Sequence, residues 1–328
     1  MHRRTLLLLP LAKAALAAEA PAPADPFAGL DQTIDRSFPD IESVVVVRDR
    51  RLLFEYYKVD SGFDALRDVQ SVTKSVVSMA VGTAIGKGVI SSVDQSVPEL
   101  VARIGKLSER AAQIKLSFRH LLSMAAGFAP TDRVTRSQSD DPVFLMERER
   151  VAEPGSQFLY DNHASNLLAS TLELAIQEPL LSFTQANLFA PMGIRRPEWE
   201  TGPNGHAYGA SGLKLRPRDM ALLGQLMLEQ GSWHGSQIMP ASFLADATAA
   251  PSSGGVPYGY GWWLRPSAQG VQTYYASGFG GQVIWVHTPL RLAIAVTSEV
   301  SKRSHARGQA LTLIRNQLYS AASAWRPA

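Results

Sequence analysis

Ser71-Val-Thr-Lys-Ser-Val-Val-Ser-Met-Ala-Val-Gly-Thr-Ala-Ile-Gly86 is the stretch on which the reading of this chain turns. Beyond Lys74 it carries no charge until Lys87, so a helix here presents no polar face to water and is expected to be buried all round. Residues i and i+3 share a helix face, which sets Lys74 beneath the hydroxyl of Ser71 at the first turn. A serine hydroxyl is a weak nucleophile near neutral pH and needs a base within hydrogen-bond reach. Burial strips an ammonium of hydration and lowers its pKa from about 10.4 toward neutrality, so the amine can accept a proton. The positive end of the helix favours negative charge developing at Ser71. The letters Ser-x-x-Lys alone decide little. An N-cap serine followed by a solvated lysine fits them equally well, and a second copy occurs at Ser211-Gly-Leu-Lys214, just before Pro217. Only the first copy has an uncharged helix directly behind it.

Two further segments bear on the same chemistry. Tyr160-Asp-Asn162 follows Glu153-Pro-Gly155 and precedes a helical pattern. A tyrosine held near a lysine can shuttle a proton between the serine oxygen and a leaving group. Capping of the helix that carries Leu167 and Leu168 by Asp161 or Asn162 explains the same residues, and one tight turn can serve both purposes. Ala276-Ser-Gly-Phe-Gly-Gly281 lies between two strand-like runs. Its small residues let a substrate approach the backbone. An acyl group could pair with this strand edge, its developing oxyanion held by the N–H groups of Ser71 and Phe279. A plain hairpin accounts for the glycines when they are viewed alone, and the coincidence of three segments in order carries the argument.

In that order the segments resemble the active-site motifs of the serine β-lactamase and penicillin-binding protein superfamily. Arg119-His-Leu-Leu-Ser-Met-Ala-Ala-Gly127, Leu188-Phe-Ala-Pro-Met-Gly193, Gly209-Ala-Ser-Gly-Leu213 with Asp219-Met-Ala221, and Tyr258-Gly-Tyr-Gly-Trp-Trp263 are similar to blocks of class C β-lactamases and their esterase relatives. The resemblance implies an α+β, β-lactamase-like fold: a mixed antiparallel sheet built from N- and C-terminal strands and flanked by helices, plus a mostly helical region, with the cleft between. It implies Ser71 as the acylated nucleophile, Lys74 as its general base, and Tyr160 as proton shuttle and activator of the deacylating water, with no cofactor. Asn162, Ser277, Gly278 and Trp262 are the residues expected at the substrate. Tyr258, Tyr260, Trp262 and Trp263 form either an aromatic wall of the acyl pocket or core packing.

Two departures from the family pattern matter. Ala276 stands where β-lactamases and carboxypeptidases of this group carry a lysine or histidine that anchors a substrate carboxylate. A charged hydrogen bond of about 1.5 to 3 kcal/mol is thereby missing, and Ala276 to Gln282 looks closer to the 6-aminohexanoate-dimer hydrolase and esterase branch. Asp161 stands where serine or alanine is usual and places a carboxylate beside the expected proton relay. The expected function is an exported serine hydrolase of carboxylesterase or amidase type, acting on a small-molecule ester or amide. The alternatives are a β-lactamase or D,D-carboxypeptidase, and a catalytically silent relative that binds peptidoglycan or a protein partner; intact Ser71, Lys74 and Tyr160 argue against silence.

The rest of the chain fits this reading. The length, 328 residues, allows a large core and one or two domains. Residues 1–20 read as a signal peptide: His2-Arg3-Arg4, an apolar run from Leu6 to Ala12, and an Ala-rich end. The expected location is periplasmic or secreted, with the paired arginines also allowing a twin-arginine route and the run too short for a comfortable membrane anchor. Removing residues 1–20 takes away Arg3, Arg4, Lys13 and Glu19, which lowers the formal charge from +3 to +1. A nucleic-acid partner is therefore not supported. Cysteine is absent, which excludes disulfides and thiolate metal sites, and the histidines show no metal-ligand spacing. Residues 21–26 read as a Pro-rich linker, 27–85 and 205–328 as an α/β region, and 86–204 as a helical region. Strands are expected at Ser43–Arg48, Leu52–Tyr57, Val271–Ala276, Gln282–His287 and Leu292–Ser298. Helical periodicity marks Phe118–Met124, Asn166–Ala175, Arg218–Leu228 and Gly308–Tyr319, and Thr131–Arg150 is expected to be a loop over the cleft.

Overall fold

A computed structural model describes residues 25–129, 139–249, 253–300 and 306–327. The expected signal peptide, most of the linker and the start of the expected cleft loop lie outside the described residues. Six strands form the main sheet: β1 (Ile41–Arg48), β2 (Arg51–Tyr57), β3 (Trp263–Ser267), β4 (Gly270–Gly278), β5 (Gln282–His287) and β6 (Leu292–Ser298), in the order β2-β1-β6-β5-β4-β3. Every neighbouring pair is antiparallel. The first hairpin closes through Asp49 and Arg50, both at positive φ, a backbone whose twist suits a two-residue connection between strands. β1 then pairs along its other side with β6, from Ile41↔Ser298 to Arg48↔Leu292.

Alternation along the strands divides the core into two. Val44 and Val46 of β1, Val283 and Trp285 of β5, and Leu292, Ile294 and Val296 of β6 face one cluster, covered by the helix Leu30–Ser37 and the C-terminal helical segments. Val45, Ile284, Val286, Ala293 and Ala295 face the other and larger cluster. Small side chains on that face let helices approach closely. A Cβ on Gly224, in the helix Pro217–Leu228, would meet the Ala293 methyl at 3.0 Å and Ile284 Cγ2 at 3.1 Å. The helix Val72–Gly86 runs through this larger cluster, and every side chain from Val72 to Ala84 is buried, as a sequence with no charge beyond Lys74 requires.

Several elements differ from the sequence expectation. β3 and the helix Leu30–Ser37 were not anticipated. β3 contains Pro266, which an edge strand tolerates because one side of its backbone needs no partner. β4, expected as the edge strand, is next to last: β3 covers it as far as Tyr275. The C-terminal helix starts at Ala306 and is interrupted by a π-turn over Ile314–Leu318. Within the expected cleft loop, Pro142–Met146 forms a short helix whose first N–H groups are capped by Asp141. Among the described residues no helix is long and apolar enough to cross a membrane.

Candidate active site

The site begins with the turn that delivers Ser71. Gln70 is held at positive φ while Asp68 accepts from its backbone N–H at 2.8 Å and its side-chain amide at 2.6 Å. Ser71 follows as the N-cap of Val72–Gly86, but its hydroxyl makes no capping bond. That hydroxyl meets Lys74 Nζ at 3.0 Å instead. The amine also donates to Asn162 Oδ1 at 2.9 Å and to the Ala210 carbonyl at 2.8 Å. A neutral amine has two N–H donors and one lone pair. With Asn162 and Ala210 taking the donors, the lone pair is left facing the Ser71 hydroxyl, the arrangement a general base needs.

Burial pushes the Lys74 pKa down; Tyr160, by charge and by hydrogen bonding, and then Asp161 act in the opposite direction. Lys74 Nζ lies 5.0 Å from the centre of the Tyr160 ring. Ser71, Lys74, Tyr160 and Asn162 are thus brought together as expected. The second Ser-x-x-Lys copy is different: Lys214 sits on the short strand Leu213–Leu215, partly exposed and paired with Glu198 at 3.0 Å. A cavity of about 10 Å³, the room for a single water, lies against Lys74, Ser165, Gly209, Tyr258 and Gly261. Burial and the nearby Tyr160 raise the Tyr258 pKa well above that of a free phenol.

Asp161 is the N-cap of the helix Asn162–Ile176, accepting from the backbone N–H groups of His163 and Ala164 at 3.0 and 3.2 Å. It is also ion-paired with Arg148 at 2.7 Å, both side chains largely buried. Arg148 in turn donates to the Ala129 carbonyl at 2.5 Å. The carboxylate beside the relay therefore has its own counter-charge, which one sequence cannot show because the partners meet through the fold. His163 is half-buried; burial and then Arg148 lower its pKa.

On the opposite wall, a Cβ on Gly278 would fall 2.4 Å from the Val69 carbonyl oxygen and 3.0 Å from Gln70 Cβ. Only glycine lets β4 approach the turn before Ser71 this closely. β3 stops at Tyr275, so Ala276, Ser277 and Gly278 have strand partners only on β5. The following turn is fixed by Gln282, which donates to the Ser298 carbonyl at 2.7 Å and accepts from its N–H at 3.2 Å. Ser277 is largely buried, Ala276 has no exposed surface, and Phe279 is 60% exposed. The backbone of Phe279 is one residue from the contact between Gly278 and Gln70, beside Ser71.

One expected substrate contact is corrected. Trp262 is only 1% exposed and packs edge-on against Tyr274 at 5.7 Å inside the core. Its neighbour Trp263, which opens β3, is the aromatic residue at the site. Its ring stacks with Tyr160 at 6.0 Å and 19°, and meets Tyr258 edge-on at 4.9 Å. Phe158 closes this group against Tyr258 and Trp263. Tyr258 and Tyr260 are buried, the core-packing alternative. Trp263→Ala is expected to lower kcat/KM about tenfold by freeing the Tyr160 ring, with Trp263→Phe retaining most of the activity. Steady-state kinetics on a soluble ester measures both; equal effects from the two variants would show that stacking is immaterial.

Comparison with known proteins places this geometry in context. A search of curated proteins finds no match. Among solved structures, a Bacillus anthracis protein assigned by its name to the 6-aminohexanoate-dimer hydrolases is 19% identical, with a TM-score of 0.73 over 89% of this chain and 81% of that one. EstCE1, described as a hydrolase with promiscuous acyltransferase activity, is 16% identical, with a TM-score of 0.70 over 90% of this chain and 97% of its own. A β-lactamase from Mycobacterium bovis is 19% identical, with a TM-score of 0.63 over 88% and 99% of the two chains. Identities this low establish the fold and leave substrates open. The family model described as Beta-lactamase matches residues 30–319, nearly the whole folded chain, and the protein belongs to the Beta-lactamase family.

Proposed function

We propose that the protein is a serine hydrolase that cleaves an ester or amide through an acyl-enzyme on Ser71. The observation that carries this reading is the Lys74 amine, buried, with Asn162 and the Ala210 carbonyl as acceptors and its remaining direction facing Ser71 Oγ at 3.0 Å. In the forward step Lys74 takes the Ser71 proton as the oxygen attacks the acyl carbon. The N–H groups of Ser71 and Phe279 stabilise the oxyanion. Tyr160 passes the proton to the leaving group and then helps activate the water that releases the acid. Asn162, Ser277 and Gly278 contact the acyl portion. The fully buried methyl of Ala276 offers no cation for a substrate carboxylate, which favours neutral esters and amides over β-lactams. The same reading includes export, with removal of residues 1–20.

A fluorophosphonate probe should label Ser71 in the native protein and not label Ser71→Ala. Failure to label folded native protein would sink the covalent mechanism. Assayed together, a short-chain p-nitrophenyl ester should be turned over and a chromogenic cephalosporin should be a poor substrate. The reverse order would show that the absent cation matters little and would favour the β-lactamase reading.

A further inference from the structure

We infer that Arg148 is a positioning residue for the reaction: by pairing with Asp161 it orients the Tyr160–Asn162 turn and cancels the carboxylate's field at Lys74. The inference rests on the acyl-enzyme reading above and concerns residues that reading does not use. Its basis is geometric. Asp161 lies between Tyr160 and Asn162, and its carboxylate accepts from the N–H groups of His163 and Ala164 and pairs with Arg148 at 2.7 Å. Arg148 is tied down by the Ala129 carbonyl and by its place over the Phe128 ring, 5.2 Å from the ring centre. The pair therefore fastens the chain at residues 128–129 to the start of the Asn162–Ile176 helix, and Asn162 leads directly to Lys74 Nζ at 2.9 Å.

The electrostatics follow from the same contacts. Among the described residues, the titratable groups that face Lys74 are Tyr160 and Asp161 from this turn and Tyr258 across the small cavity. Among the described residues, Arg148, His163 and Lys74 face Asp161. An uncompensated carboxylate here would favour the ammonium form of Lys74 and so disable the base; a guanidinium in contact with it removes most of that bias. This explains how an aspartate is tolerated in the middle of the Tyr-x-Asn segment.

The test is a charge cycle read as the pH dependence of fluorophosphonate labelling at Ser71. Arg148→Ala is expected to move the acid limb upward by about one pH unit. Asp161→Asn, which keeps a good helix cap, is expected to move it downward. The double variant should return close to the wild-type position, and Arg148→Lys should stay near it. A merely structural role would slow labelling without displacing the limb, and the double variant would be no better than Arg148→Ala; either result overturns the inference. Thermal unfolding of each variant identifies loss of fold, and Asp161→Asn alone then still tests the direction. If wild-type Ser71 is not labelled at any pH, the acyl-enzyme reading fails. If it is labelled and the limb is insensitive to these charges, only the present inference fails.

Discussion

Lys74→Met is expected to lower kcat/KM for an ester substrate by about three to four orders of magnitude, at the upper end of what loss of a general base costs. Methionine has similar length and fits an apolar site, so the loss reports the missing amine rather than a cavity. The variant should also lose a pH dependence of stability. Burial lowers the Lys74 pKa in the folded state, whereas the unfolded chain keeps the ordinary value of about 10.4. The unfolded state therefore binds more protons below that pH, and the cost of burying the lysine shrinks as pH rises toward it. Urea unfolding of the two proteins at several alkaline pH values should show wild type gaining on Lys74→Met as pH increases. A constant difference would mean that the amine is no harder to protonate in the fold than in water. The absolute order of stability is less informative, because methionine also leaves the Asn162 and Ala210 oxygens without the amine.

Gly209→Ala is expected to cripple the protein through one methyl group. A Cβ at this position would lie 1.9 Å from the Ser165 carbonyl oxygen and 2.9 Å from the Ala169 methyl. Neither is the free end of a flexible side chain, so the bend at Gly209 must move away from the Asn162–Ile176 helix. Overpacking of this kind costs about 1 to 3 kcal/mol, occasionally more, or several degrees of melting temperature in a chain of this size. The displacement acts on the next residue, Ala210, whose carbonyl fixes Lys74 at 2.8 Å and whose N–H is held by Asn166 at 3.1 Å. Activity should fall by about a hundredfold or more even at temperatures where the variant is folded, since misplacing a catalytic group by about 1 Å has that effect. Normal kcat/KM in a variant with a lowered melting temperature would separate Ala210 from the chemistry.

The parts of this site that were legible in the sequence are those set by local geometry. Ser71 and Lys74 share a helix face whatever surrounds them, and the charge-free run after Lys74 announced its burial. Tyr160 and Asn162 flank a helix start that residue type alone suggests. β5 and β6 follow the sequence expectation in both boundaries, because β-branched and aromatic residues crowd them between turns. What was not legible depends on distant backbone or on parity. The Ala210 carbonyl accepts from Lys74, yet any residue there would supply such an acceptor. Arg148 and Asp161 lie 13 residues apart in the sequence and meet only through the fold. Trp262 and Trp263 are adjacent and chemically identical; which of them faces Tyr160 depends on where β3 begins, and a one-residue shift exchanges a core position for a cleft position. Pro266 and Ser267 hid that strand by weakening its pattern.

The seam between β1 and β6 has a kinetic meaning as well as an architectural one. Residue 41 finds its partner at residue 298, so the sheet cannot be completed until the chain has been made as far as Ser298. Contacts of such long sequence separation form slowly, and the helix Val72–Gly86 waits with its apolar sides uncovered in the interim. A ribosome-bound or prematurely terminated chain ending before Leu292 would expose the β1 ladder and much of the larger core, making assembly a late, all-at-once event and partial chains prone to aggregate.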